Sequence, residues 1–161
     1  MIAKTQSPRV DEHALSVERW MSKRVFTTKP DACLIDAFEM MRDHRIRHVP
    51  VMDGDNLVGI VSDRDVRSAL PSRDALQDGW ASLGESLLLS RIAQVMSLMP
   101  ITIDPKASIR DAAEVMCRHK VGALPVVDRG RLVGILSAED ILWAVSDWEV
   151  GLEDAVLPEG T

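Results

Sequence analysis

Two short segments carry the groups in this chain best placed to hold a ligand: Ser62-Asp63-Arg64-Asp65 and Ser137-Ala138-Glu139-Asp140. Each follows an apolar run and opens a stretch of helical composition. A serine where a strand turns into a helix sits among free backbone N–H groups at the positive end of the helix dipole, a setting that suits phosphate. Three positions on, Asp65 and Asp140 offer carboxylates that can accept the two hydroxyl protons of a ribose diol. The same spacing also reads as a capping box, with the carboxylate folded back on a backbone N–H. From the residues alone, the cap is the stronger of the two readings.

Charge separates the two segments. Arg45, Arg47, His48 and Arg64 near the first correspond to Lys120, Gly122, Ala123 and Glu139 near the second, so the first site is expected to be the more basic. For Arg42, Arg45 and Arg47 the competing reading is a solvated rim with Asp43 as partner. Their alignment with Arg64 at a helix start favours an anion site. His44 and His119 hold one position in both copies and are assigned to structure, as caps for last-turn carbonyls, with no metal. Met40, Met41, Met96 and Met116 are assigned to packing.

The elements that position these residues come in duplicate. Residues 21 to 66 fall on 96 to 141 without a gap, with 19 identities in 46 pairs. In each copy a short apolar run, Val25 to Thr28 or Ile101 to Ile103, precedes a proline-ended dipeptide and reads as a short strand. Leu34, Ala37, Phe38, Met40 and Met41, like Ile109, Ala112, Ala113, Val115 and Met116, mark one apolar helix face, with Asp31 and Ser108 as candidate caps. Two apolar runs around Asp53-Gly54-Asp55-Asn56, and around Asp128-Arg129-Gly130-Arg131, read as hairpins. Pro50 and Pro125 belong near a strand start or on an edge. A second helix is expected from Asp63 to Ser68 and from Ala138 to Val145, and lead-in helices from Ala14 to Met21 and from Leu87 to Met96.

The expected fold is therefore α+β (mixed α/β), with two pseudo-symmetric βαββα repeats in a single module spanning 1–161. Repeat 1 covers about 13–70, a connector containing Trp80 about 71–84, repeat 2 about 85–146, and an acidic tail 147–161. Trp143 and Trp148 are expected to anchor the start of that tail.

A length of 161 residues at 46% hydrophobic content suits one compact domain, and units of 46 residues are too short to bury a core alone, so the copies must pack on each other. No run reaches the length of a bilayer span, and MIAKTQSPRV lacks the apolar core of a secretory signal, so a cytoplasmic location is expected. The net charge of −6 argues against nucleic acid or acidic membranes as partners. Cys33 and Cys117 occupy non-equivalent positions, without symmetric bridge or metal spacing. No nucleophile, base and acid constellation is present, and no enzyme activity is expected.

VPVMDGDNLVGIVSDRDV and LPVVDRGRLVGILSAEDI both resemble the closing half of cystathionine beta-synthase (CBS) domains, and the opening halves agree with that family. The resemblance covers about residues 13 to 146 and identifies a stand-alone tandem pair, or Bateman module. It implies repeats associated through their sheets, pairs assembled as homodimers, and clefts that hold AMP, ADP, ATP or S-adenosylmethionine. It also implies that the aspartate of Ser-x-x-Asp holds ribose, which favours ligand contact at Ser62 and Asp65 in a first cleft, with Ser137 and Asp140 as a weaker second. In nucleotide-binding relatives an arginine just before the second strand meets phosphate; here His48 stands there, beside Arg47, a departure from the pattern. Family geometry sets Pro100 and Ile101 in the Ser62 cleft, with Arg64, and Val25 and Phe26 in the Ser137 cleft. Phe26 is open to two assignments, core residue or stacking partner for a base.

Three functions follow from this resemblance. The first is a sensor that binds an adenosine-containing ligand between its repeats and biases an unknown regulated protein or its own assembly. The second is a structural, oligomerising module with empty clefts. The third is a regulatory part of a larger enzyme or transporter, like the inserts of IMP dehydrogenase.

Overall fold

The computed structural model describes residues 15–69 and 90–153, with side chains through Asp147. The connector with Trp80, the Trp148 side chain and the chain beyond 153 lie outside the described residues. Helix α1 (Val17–Trp20) leads into repeat 1, which contains α2 (Leu34–His44), β1 (His48–Asp53), β2 (Asn56–Ser62) and α3 (Asp63–Ser68). A 3-10 turn (Ile92–Gln94) and β3 (Ser97–Leu98) lead into repeat 2, with α4 (Ile109–His119), β4 (Ala123–Asp128), β5 (Arg131–Ser137) and α5 (Ala138–Glu153).

Both hairpins are antiparallel and equivalent in register: Pro50 faces Ile60 as Pro125 faces Ile135, with an irregularity after Val51 and after Val126. In the second turn Arg129 and Gly130 both take positive φ, 49° and 79°, the pair of conformations that matches the twist of a tight hairpin. Val49, Val51 and Val61, and likewise Leu124, Val126 and Leu136, are fully buried on the faces that the helices cover.

The expected strands at 25–28 and 101–103 shrink to single parallel bridges, Thr28 with Val51 and Ile103 with Val126. The Thr28 N–H donates to the Pro50 carbonyl at 3.0 Å, and Met52 N–H returns to Thr28 at 2.8 Å. Extending the ladder by one step needs an N–H on residue 50, which proline lacks. Pro125 ends the second bridge in the same way.

Among the described residues the lead-ins show one turn of α-helix and one of 3-10, and they are exchanged between the repeats. Val17 and Glu18 N–H groups donate to the carbonyls of Ala107 and Pro105, and Ile109 N–H donates to Leu15, each at 2.8 Å. Conversely, Ile92 donates to Ala32 at 3.0 Å and Leu34 to Ser90 at 2.9 Å, while β3 pairs with β2. One core accordingly joins Val17 and Met21 to Leu124, Val126 and Leu136, and the other joins Ile92 to Leu34, Val49 and Val61. The strands β2 and β5 meet where the halves face each other.

Ser108 caps α4 as expected, its hydroxyl accepting from Asp111 N–H at 3.0 Å. Asp31 does not cap α2: the cap position falls two residues later, on Cys33, whose sulfur instead receives Arg91 Nη1 at 2.8 Å. The equivalent helices α2 and α4 both end in a left-handed residue, Arg45 at φ 54° and Lys120 at φ 55°. That reversal turns the chain into β1 and β4 and sets Arg45 and Arg47 outside the core.

Candidate functional site

Where the two halves meet, a cavity of ≈ 720 Å³ draws its walls from both. Repeat 1 and its lead-in supply Arg24, Val25, Phe26, Arg45, Arg47 and His48; repeat 2 supplies Gly122, Ser137, Glu139, Asp140 and Trp143. The cavity thus gathers the residues assigned from sequence to the second cleft, Val25, Phe26, Ser137 and Asp140, together with Arg47 and His48, which had been assigned to the first. Ser62, Arg64, Asp65, Pro100 and Ile101 do not line it.

The placement of Arg47 and His48 has a local cause. A Cβ built on Gly122 would lie 3.1 Å from both Cε1 and Nε2 of His48, so the imidazole occupies space that any larger residue at 122 would claim. The starts of β1 and β4 abut there, so His48 stands between Gly122 of repeat 2 and Ser62, its register partner in β2. Arg47 follows, its Nη2 reaching Glu139 Oε2 at 3.4 Å. Burial pushes the His48 imidazole below its ordinary value; Arg47 adds to that shift, while Asp63 and Asp65 oppose it. Desolvation thus disfavours the charged form of the ring.

Both Ser-x-x-Asp segments form capping boxes. Asp65 Oδ2 accepts from the Ser62 N–H at 2.7 Å and from its hydroxyl at 2.6 Å. Asp140 Oδ2 accepts the same two bonds from Ser137, each at 2.7 Å. Capping and ligand contact are compatible, because these bonds use one oxygen of each carboxylate and the acceptor capacity of Oδ1 remains. The helices behind the two boxes differ: α3 spans six residues, whereas α5 spans 16 and presents the longer array of aligned peptide dipoles.

Phe26 is neither buried core nor an open platform. Its ring stacks on His44 with centroids 3.7 Å apart and planes within 14°, and the Arg24 guanidinium lies 5.2 Å from its centroid. His44 is therefore an aromatic partner, not a carbonyl cap. The Arg42 guanidinium pairs with Asp43 at 2.9 Å on the solvated rim, as the competing reading held.

Sequence reasoning missed Arg24 and Trp143, and named Glu139 only as the counterpart of Arg64. Trp143 had been assigned to the tail, yet it lines the cavity and is 64% exposed. Helical spacing carries the signal: residues 139, 140 and 143 lie on neighbouring positions of the first two turns of α5. Among the described residues no cluster of His, Cys, Asp or Glu is arranged to hold a metal, and no helix is long and apolar enough to cross a membrane.

Comparison with known proteins agrees with this architecture. The family model described as CBS domain matches residues 17–72 and again 92–147. A CBS domain-containing protein of Dictyostelium discoideum is 37% identical over 128 residues, covering 78% of this chain and 88% of the relative. The crystal structure of CBSX2 in complex with AMP superposes with a TM-score of 0.68 at 27% identity, over 84% of this chain and 98% of that one. The CBS domain pair of protein MJ0100, in complex with 5′-methylthioadenosine and S-adenosyl-L-methionine, gives a TM-score of 0.68 at 25% identity, over 83% and 97%. With the family model matched twice and the pseudo-twofold pairing of its hairpins, the chain belongs to the CBS domain family, as a tandem pair.

Proposed function

We propose that this module is a regulatory sensor that binds an adenosine-containing ligand (AMP, ADP, ATP or S-adenosylmethionine) in the cavity between its repeats. The observation that carries the reading is that one cavity of ≈ 720 Å³ has walls from both repeats, with carboxylate, arginine and aromatic groups in the same space. Asp140 Oδ1 is suited to the ribose diol, Arg47 and Arg24 to phosphate, and Val25, Ile135 and Trp143 to the base. Two relatives of this fold carry AMP and S-adenosyl-L-methionine in their crystals, which supports the ligand class.

Ligand bound between the halves changes their relative placement only if it favours one arrangement over another, and that difference is what a regulated protein or a second copy of the pair would sense. No chemical step is assigned to the chain. The pair formed by Ser62 and Asp65, with Arg64, Pro100 and Ile101, is proposed as the lesser site, since α3 is short and Arg47 and His48 serve the other cavity.

Calorimetry of the protein against AMP, ADP, ATP, NADH and S-adenosylmethionine, repeated on Asp140→Ala and Asp65→Ala, tests the reading. Binding that Asp140→Ala weakens and Asp65→Ala spares is the expected result. Binding that survives Asp140→Ala unchanged removes this cavity as the site.

A second reading, an oligomerising module, draws on Leu142 and Val145, which α5 leaves 68% and 42% exposed. Cytoplasmic homodimers built on that face would show as concentration-dependent mass in solution, and a monomer at every concentration would dismiss them.

A further inference from the structure

We propose that Glu139 sets the charge specificity of this cavity: it is an internal carboxylate that competes with a ligand's phosphate for Arg47. The inference rests on the reading that the cavity takes an adenosine-containing ligand. Arg47 belongs to repeat 1 and Glu139 to repeat 2, they approach to 3.4 Å, and both line the cavity. Their side chains are 68% and 65% exposed, so the pair is weak and solvent-screened, and an incoming anion can displace it.

Occupation of Arg47 by Glu139 has two electrostatic effects. It engages Arg47 at the start of α5, and it sets a second carboxylate next to Asp140 in the chain. A nucleoside monophosphate must therefore break the pair and sit near the released carboxylate, whereas the uncharged nucleoside meets neither cost. At the matching position of repeat 1 stands Arg64, of opposite sign. The duplicated scaffold thus bears opposite charges at one place, and Glu139 marks the cavity as one that admits the nucleoside portion freely and weighs its phosphate.

The experiment is calorimetry at low ionic strength with AMP and with adenosine, on the wild-type protein, Glu139→Gln, Arg47→Gln and the double variant. Glu139→Gln is expected to tighten AMP about three- to tenfold and to leave adenosine within about twofold. In the Arg47→Gln background the same substitution is expected to gain less than in the wild type, because the contest for the arginine is gone and only the repulsion between Glu139 and the phosphate remains. An equal gain for both ligands, an unmoved AMP-to-adenosine ratio, or a full gain without Arg47 overturns the inference while leaving the cavity as an adenosine site. Failure of all four proteins to bind either ligand overturns the adenosine reading, and this inference with it.

Discussion

Met21 lies across the bare backbone of Gly134, and Met96 lies in the same way across Gly59. Each methionine comes from one lead-in and each glycine from the closing strand of the other repeat's hairpin, so the two contacts are pseudo-symmetric copies that hold the exchanged segments in place.

Alanine at either glycine should therefore destabilise the fold, and unequally. At Gly59 the added Cβ would meet Met96 Sδ at 2.7 Å and the Ser97 carbonyl oxygen at 3.1 Å, and a backbone oxygen cannot rotate away. At Gly134 its near neighbours all belong to the flexible Met21 side chain. Gly59→Ala is expected to cost about 1–3 kcal/mol in denaturant unfolding, and Gly134→Ala less. An equal or reversed order would show that Ser97 yields as readily as Met21.

Because Asp65 and Asp140 both cap helices, replacing either with alanine should cost stability as well as any binding. A loss of about 0.5–2 kcal/mol is expected for each by chemical denaturation. Only Asp140→Ala is expected also to lower adenosine affinity, so the pair of variants separates capping from ligand contact.

Trp143→Ala is expected to leave stability within about 0.5 kcal/mol, since the ring is largely exposed, and to weaken AMP and adenosine by similar factors. A loss confined to AMP would place the indole near phosphate and not near the base.

His48 should make stability pH-dependent. Its folded-state pKa is held below the ordinary imidazole value by burial, so the unfolded chain takes up the proton first as pH falls. The contribution is complete above about pH 6.5 and is lost as pH drops through the lowered folded value. His48→Gln should flatten that part of the melting-temperature profile; an unchanged profile would assign the slope to other groups.

The duplication, the hairpins and most of the α2 and α4 faces were legible in the sequence because they rest on local periodicity: Leu34, Ala37 and Met41 are buried as the helical spacing requires, whereas Phe38, expected on the same face, is exposed at its edge. The short strands failed at Pro50 and Pro125, whose missing donors stop the ladder after one bridge. The exchange of lead-ins was not legible, since an apolar face at Val17 or Ile92 does not say which of two similar cores it enters. The meeting of the two halves around His48 was not legible for the same kind of reason. His48 meets Gly122 and Arg47 meets Glu139, contacts between distant residues that no spacing announces.

The swap of the opening segments sets an order of events for a growing chain. Leu15, Val17 and Met21 find their seat on Ile109, Ala107 and Gly134, so this stretch has nowhere to dock until the hairpin of β4 and β5 has been made. Repeat 1 meanwhile lacks its own wedge, Ile92, and closure of both halves becomes one late, joint step in which neither half can complete itself without the other.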